Sequence, residues 1–148
     1  MIRQALISDL PKVAECAREF YASSPLLADL DEWRFCDTWE NLIRHKIGVA
    51  FIEYEGSEVS GGLGAVVTKD PFGSKIIASE AFWFVRSSAR GSLGIRLYRA
   101  FVDWARDNGV GSIQMIHLLD ENGEKASKFY LREGYEPVEV RYQKRLAV

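Results

Sequence analysis

The sequence has two cysteines and two histidines, too few for most metal chemistry. Cys16 and Cys36 stand far apart with no ligand-like spacing, and His45 and His117 are isolated, so no zinc or His-rich metal site is expected. The two thiols make no disulfide framework. They fit a reducing compartment, and we expect both to be structural residues of a cytoplasmic protein. No apolar run approaches the roughly 20 residues of a membrane helix. Met1-Ile2-Arg3-Gln4-Ala5 lacks the apolar core of a secretion signal. Charge of one sign is not in excess either: the formal net charge is −2 and the pI about 5.7. That excludes a nucleic-acid binder relying on a broad basic surface, and it gives no reason to expect docking on an anionic membrane. Repeats, low-complexity tracts and linkers are missing, so residues 1–148 read as one domain.

What is present suits a folded α/β protein. Hydrophobic residues make up 47%, and aromatics reach 12%, enough to fill a core and line a cleft. Ile2 to Leu6 reads as a short strand. Ser8 or Asp9 can cap a helix with Pro11 in its first turn, and apolar residues recur with helical period from Leu10 to Tyr21 until Ser23-Ser24-Pro25 ends it. A second helix is predicted over Leu30 to His45. Val49–Tyr54 and Val59–Thr68 flank the turn Glu55-Gly56-Ser57 as a hairpin. Gly61, Gly62 and Gly64 in its second arm leave room for a neighbouring backbone or a ligand. Ile76–Val85 is the longest strand candidate. The clearest helix starts at Gly91 or Ser92 and closes at Asn108-Gly109. Ser112–His117 is a further strand, and Glu124–Arg132 a short helix with Asn122 as its cap. Tyr135–Val140 and Arg141–Leu146 suggest a last strand or strand pair. The order predicts a mixed sheet, antiparallel in the hairpins and parallel where a helix crosses over.

The stretch from Glu80 to Leu97 carries the chemistry. A buried strand ending Phe82-Trp83-Phe84-Val85 runs through Arg86-Ser87-Ser88-Ala89-Arg90-Gly91-Ser92 into an amphipathic helix beginning Leu93-Gly94-Ile95. Such a turn aims several N–H groups at one spot, and the helix N-terminus adds partial positive charge, a seat for phosphate. Gly91 and Gly94 allow close approach, and Arg86 or Arg90 could add charge-assisted bonds. Taken alone, the segment is equally an ordinary capped helix after a strand. It is neither a Walker loop nor a dinucleotide fingerprint.

Ala89-Arg90-Gly91-Ser92-Leu93-Gly94 resembles the Gln/Arg-x-x-Gly-x-Gly/Ala turn of the GNAT superfamily of N-acetyltransferases, with Ala89 replacing Gln/Arg and Ser92 replacing the first glycine. Asn122, Ala126, Phe129-Tyr130 and Gly134-Tyr135 resemble the family's Asn-x-x-Ala-x-x-Phe-Tyr-x-x-x-Gly-Phe segment with one extra residue after Asn122. Ile2-Arg3-Gln4-Ala5 with Asp9-Leu10 is similar to the family's opening. The aromatic strand, the Arg-Gly turn and Tyr142-x-Lys144 are similar to some phage-type members. The resemblance implies a mixed sheet of about six or seven strands flanked by about four helices.

It also implies acetyl-CoA as co-substrate, bound between the strands ending at Val85 and His117. Phe84, Val85 and Arg86 would pair with the pantetheine arm, and a backbone N–H near Phe84 would stabilise the oxyanion. The N–H groups of Gly91, Ser92, Leu93, Gly94 and Ile95, with Arg90, would hold the pyrophosphate. Asn122 and Ser127 would contact pantetheine or support Tyr130, the general acid toward the leaving thiolate. Glu80 is the first candidate base and His117 the second, with a water chain as the alternative to both. The acceptor would be a small-molecule or peptide amine. Tyr21, Trp33, Phe35 and Trp39 with Asp29, Asp31 and Glu32 are the candidate acceptor residues, although Trp33 and Trp39 read more simply as core and the acids as a solvated helix start. A non-catalytic acyl-CoA-binding or regulatory domain is the alternative function. A homodimer through the edge of a terminal strand is left open.

Overall fold

The computed structural model describes residues 1–22, 24, 29–89 and 91–147. Five strands form one sheet in the order β1-β2-β3-β4-β5, made of β1 Arg3–Gln4, β2 Gly48–Glu55, β3 Glu58–Lys69, β4 Ile76–Val85 and β5 Ser112–Gln114. All neighbours are antiparallel except β4 and β5, which are parallel and joined through helix α3, Leu93–Asp107. Helices α1 (Leu10–Tyr21) and α2 (Glu32–Arg44) precede β2, and α4 (Glu121–Arg132) follows β5. Among the described residues no helix is long and apolar enough to cross a membrane.

Periodicity explains these elements. The buried face of α1 is Leu10, Val13, Ala14, Cys16 and Ala17, and Pro11 sits where a missing N–H costs nothing. That face, with Trp39 of α2, covers Ile52, Val59, Phe82 and Phe84 on one side of the sheet. The stripe Leu93, Leu97, Tyr98 and Phe101 of α3 covers Phe51, Leu63, Ala65 and Ala78 on the other. Burying each large side chain contributes roughly 1.5–3 kcal/mol. The β3 glycines serve this packing. A Cβ at Gly64 would collide with the Phe82 ring and come within 2.8 Å of Trp39, and one at Gly61 would lie 3.0 Å from the Phe84 carbonyl oxygen.

Asp9 does not cap α1 with its side chain. Its carboxylate accepts two bonds from Arg3 (2.7 and 2.9 Å), one from the Leu6 N–H (2.7 Å) and one from the Tyr54 hydroxyl (2.9 Å). The Arg3 hydrogen bond is the main force holding its carboxyl down to about 2, below the ordinary aspartate value of 3.8. A lowered carboxyl stabilises the fold above the unfolded value and loses that contribution as pH falls through about 2. Asp9→Asn is therefore expected to lower stability by about 2 kcal/mol at pH 7. Urea titrations at both pH values should show the difference closing near pH 2. A difference that persists there would mean packing, not charge, is at stake.

Three expectations are corrected. Trp33 is 71% exposed rather than core, because α2 turns only Trp39 fully inward. The cap of α4 is Asp120, which accepts the Gly123 N–H at 2.7 Å, and Asn122 is an exposed residue of the first turn. Among the described residues the sheet has five strands and not six or seven, since residues 133–147 form no strand. Pro137 cannot donate to a ladder, and β5 offers only three residues to pair with. Ser23 and Pro25, the predicted stop of α1, lie outside the described residues.

Candidate active site

The site lies where β4 and β5 part. Their ladder ends at Ser79 and Gln114, although β4 runs on to Val85. A bulge in β4 accompanies the parting. Gly64 faces Phe82 and the next residue of β3, Ala65, faces Glu80, leaving Ala81 without a partner. The extra residue reverses alternation. Phe82 enters the α1/α2 side, while Glu80 and Trp83 both turn to the α3/α4 side and contact Tyr130.

Glu80 takes over where the ladder stops. Its Oε2 accepts the Ile116 N–H at 2.9 Å, so the backbone beyond Gln114 bonds to a side chain of β4. This is why the strand predicted to His117 ends early. The Tyr130 hydroxyl donates to the Ile116 carbonyl at 2.9 Å and lies 3.4 Å from Glu80 Oε2. Both expected catalytic side chains thus meet at the backbone of one residue, Glu80 on its N–H and Tyr130 on its carbonyl. Burial pushes the Glu80 carboxyl up to about 7, against the Ile116 N–H and the Tyr130 hydroxyl, which favour its charged form. Desolvation, then the charge on Glu80, raises Tyr130 well above the ordinary tyrosine value. Trp83, Phe129, Tyr98 and Tyr135 surround Tyr130, and the last two share a hydroxyl–hydroxyl contact of 3.1 Å.

The turn after β4 leads to an open helix end. Ser92 makes no side-chain cap bond, and no acidic residue stands in the first turn of α3. Gly91 has φ of +133° and nothing within 4 Å of where a Cβ would stand. Gly94 is held by the Trp83 indole N–H, which donates to its carbonyl at 3.1 Å. Leu93 is 3% exposed with its side chain in the core, so only its backbone is available, and Ile95 is half-buried. Arg90 lies outside the described residues. Among the described residues, a helix end with no side-chain cap and no acidic residue in its first turn fits a phosphate.

Other expected residues are placed differently. The Arg86 N–H bonds the Ser60 carbonyl at 2.9 Å. Its guanidinium bonds the Val59 carbonyl at 2.8 Å and pairs with Glu58 at 3.5 Å. Antiparallel alternation therefore turns the backbone of Phe84 and Arg86 toward β3, and that of Trp83 and Val85 toward the gap. The Phe84 ring stacks on Phe82 at 4.8 Å in the α1/α2 core. Ser127 lies one turn before Tyr130 on α4, half-buried. His117 is exposed with Nε2 at 3.2 Å from Glu124. Around the acceptor region, Asp31 caps α2 by accepting the Arg34 N–H at 3.0 Å, Glu32 pairs with Arg18 at 2.7 Å, and Asp29 is exposed. Phe35 packs on Phe82 at 5.8 Å, and Tyr21 on Phe20 at 5.3 Å.

Three residues that shape the candidate site escaped the sequence. Ile116 acts through its peptide, which leaves no side-chain signal. Trp83 reads as one more core aromatic. Glu19 accepts from the Ser87 N–H at 3.2 Å and the Ser87 hydroxyl at 2.5 Å, tying α1 to the turn across 68 residues.

A mixed sheet that splits beside an uncapped helix end offers a cleft and a phosphate seat side by side. The model of the acetyltransferase (GNAT) family matches residues 11–135, and the chain belongs to that family. Acetyl-CoA is the family's acyl donor. The fold is similar to a predicted acetyltransferase from Clostridium acetobutylicum solved with acetyl-CoA (TM-score 0.80, 11% identity, 98% of this chain and 95% of that one). It is also similar to glucosamine-6-phosphate N-acetyltransferase from Arabidopsis thaliana (0.75, 16%, 99% and 98%). A third is an aminoglycoside acetyltransferase from an uncultured soil metagenomic sample, in complex with sisomicin (0.75, 19%, 99% and 96%). No curated protein matches the chain in sequence.

Proposed function

We propose that the chain, acting as one domain, moves the acetyl group of acetyl-CoA to a primary amine by direct attack, with Glu80 as base and Tyr130 as acid. The observation that carries this is their meeting at Ile116, with 3.4 Å between Tyr130 Oη and Glu80 Oε2. An attacking amine must lose a proton, and a carboxyl pushed up to about 7 is poised to take one near neutrality. The charge on Glu80 is one cause of the raised Tyr130 value. Once Glu80 is protonated that cause is gone, and Tyr130 gives its proton more readily to the departing sulfur. The order of events follows: base first, acid second. A gap-facing N–H, at Val85 or Trp83, suits the developing oxyanion. The N–H groups from Gly91 to Ile95 suit the pyrophosphate, and Asn122 and Ser127 stand on the helix that carries Tyr130. The amine is a small molecule or a peptide; the substrates named for the glucosamine-6-phosphate and aminoglycoside enzymes are of the first kind.

Calorimetry with acetyl-CoA tests the site. A Cβ at Gly94 would meet only ordinary contacts, 3.7 Å from Val85 and 3.8 Å from Trp83, so Gly94→Glu is expected to fold. Its charge should weaken binding on the order of 100-fold, the size of a like charge about 5 Å away at an effective dielectric near 20. Binding that Gly94→Glu leaves intact would move the site elsewhere. Binding without CoA release to any of a panel of amines would favour the non-catalytic reading.

A further inference from the structure

Helix α1 carries a polar edge beside its apolar face. Lys12, Glu15 and Glu19 follow one another at spacings of three and four residues, so they share one side of the helix. That side meets the end of the β2/β3 hairpin and then the turn after β4. Lys12 lies 3.1 Å from Glu15 and 3.4 Å from Glu58, and Glu58 lies 3.5 Å from Arg86. Glu19 makes the closest contact. Its Oε1 accepts both the Ser87 hydroxyl at 2.5 Å and the Ser87 N–H at 3.2 Å. Two donors of one residue on one carboxylate oxygen fix that residue's orientation as well as its place.

The position of Ser87 in the chain gives this contact its consequence. Arg86, just before it, is tied to β3 through its N–H on the Ser60 carbonyl and its guanidinium on the Val59 carbonyl. Ser87–Ala89 form one 3-10 turn, closed by the Ala89 N–H on the Arg86 carbonyl at 3.0 Å. The first N–H groups of such a turn find no acceptor within it, and Glu19 supplies one to Ser87 from another helix. Gly91 follows at φ +133°, and then α3 begins, held by the buried Leu93 side chain and the Trp83–Gly94 bond. Glycine admits many backbone conformations, so the direction of the Gly91 and Ser92 N–H groups depends on how the chain is held on either side. Trp83 and Leu93 hold the downstream side, and Arg86 and Glu19 the upstream side.

We propose that Glu19 is a positioning residue for acetyl-CoA: by holding Ser87 it sets the direction in which the Gly91 and Ser92 N–H groups meet the pyrophosphate. This rests on the reading of the turn as the pyrophosphate seat. A carboxylate here serves the binding of an anion that its charge alone would oppose. The two effects have opposite signs, and variants separate them.

Calorimetry of the full chain with acetyl-CoA tests this in Glu19→Ala, Glu19→Gln and Ser87→Ala. Alanine is the best helix former, so Glu19→Ala keeps α1, and thermal melts verify that it does. Glu19→Ala is expected to weaken binding by about fivefold to tenfold, and Ser87→Ala by about twofold to fivefold. Glu19→Gln keeps an acceptor oxygen without the charge and should bind at least as tightly as the natural chain. The double alanine variant should be no weaker than Glu19→Ala alone, because both changes remove the same hydroxyl bond. With no ligand present, the Ser87 amide should exchange hydrogen severalfold faster in Glu19→Ala than in the natural chain. An affinity in Glu19→Ala equal to or above the natural one overturns the proposal. So does a Glu19→Gln variant as weak as Glu19→Ala, a Ser87→Ala factor that multiplies in full on top of Glu19→Ala, or an unchanged Ser87 amide. If Gly94→Glu weakens binding and Glu19→Ala does not, this inference alone fails. If Gly94→Glu leaves binding intact, the seat lies elsewhere and both readings fail.

Discussion

Replacing Tyr130 by phenylalanine is expected to lower kcat by about 100- to 1,000-fold, the range that loss of a positioned acid produces. Acetyl-CoA affinity should stay within about threefold, because the ring still packs against Trp83, Phe129 and Tyr135. The hydroxyl makes one good hydrogen bond, to the Ile116 carbonyl at 2.9 Å, and its loss should cost about 1 kcal/mol of stability. That is too little to unfold a domain, so thermal melts separate the two effects. Single-turnover kinetics at saturating acetyl-CoA would read the chemical step. A phenylalanine variant that turns over at the natural rate would remove Tyr130 from the mechanism.

Glu80→Gln is expected to cost a similar factor and, in addition, to change the shape of the pH profile. With its carboxyl up at about 7, Glu80 is protonated at low pH and cannot accept a proton from the amine. The natural enzyme should therefore gain kcat/KM as pH rises toward about 7 and level off beyond it, while residual activity of the glutamine variant should lack that inflection. Stability should move in the opposite sense. A carboxyl raised above its unfolded value of 4.5 favours the fold in its protonated form. Its contribution is complete below about 4.5 and is lost as pH climbs through about 7. Between those values the natural protein should lose stability relative to Glu80→Gln, which cannot ionise. An unchanged inflection in the variant would assign the titration to another group or to the amine itself.

Much of the architecture was legible because it rests on short-range patterns. The limits of β4, Ile76 and Val85, are those expected from its apolar run between turns, and α3 follows from a stripe recurring every three or four residues. Glu80 and Tyr130, fifty residues apart in sequence, were both proposed from the family resemblance and stand in contact. What stayed hidden depends on long-range register. The bulge at Ala81 appears only when β3 is laid against β4, and without it Glu80 and Trp83 belong to opposite faces. Ile116 contributes a peptide, for which any residue but proline would serve. Asp120 and Asn122 are equally good caps by type, and only the path of the loop decides between them. Trp33 fits the apolar period of α2, but a period cannot say how far round the helix the core extends.

The first turn of α4 sets the spacing of the site. A Cβ at Gly123 would run into the Leu118 carbonyl oxygen and lie 2.9 Å from the His117 ring. The helix can therefore lie this low over the loop only because one methyl group is missing. Seven residues further on, the same helix carries Tyr130 to within 2.9 Å of the Ile116 carbonyl. Even alanine at position 123 would lift the start of the helix and open the gap between Tyr130 and Glu80, the proposed acid and base. The separation on which the proposed proton transfer depends is thus written at a residue with no functional group, where a single added methyl group forces backbone to move.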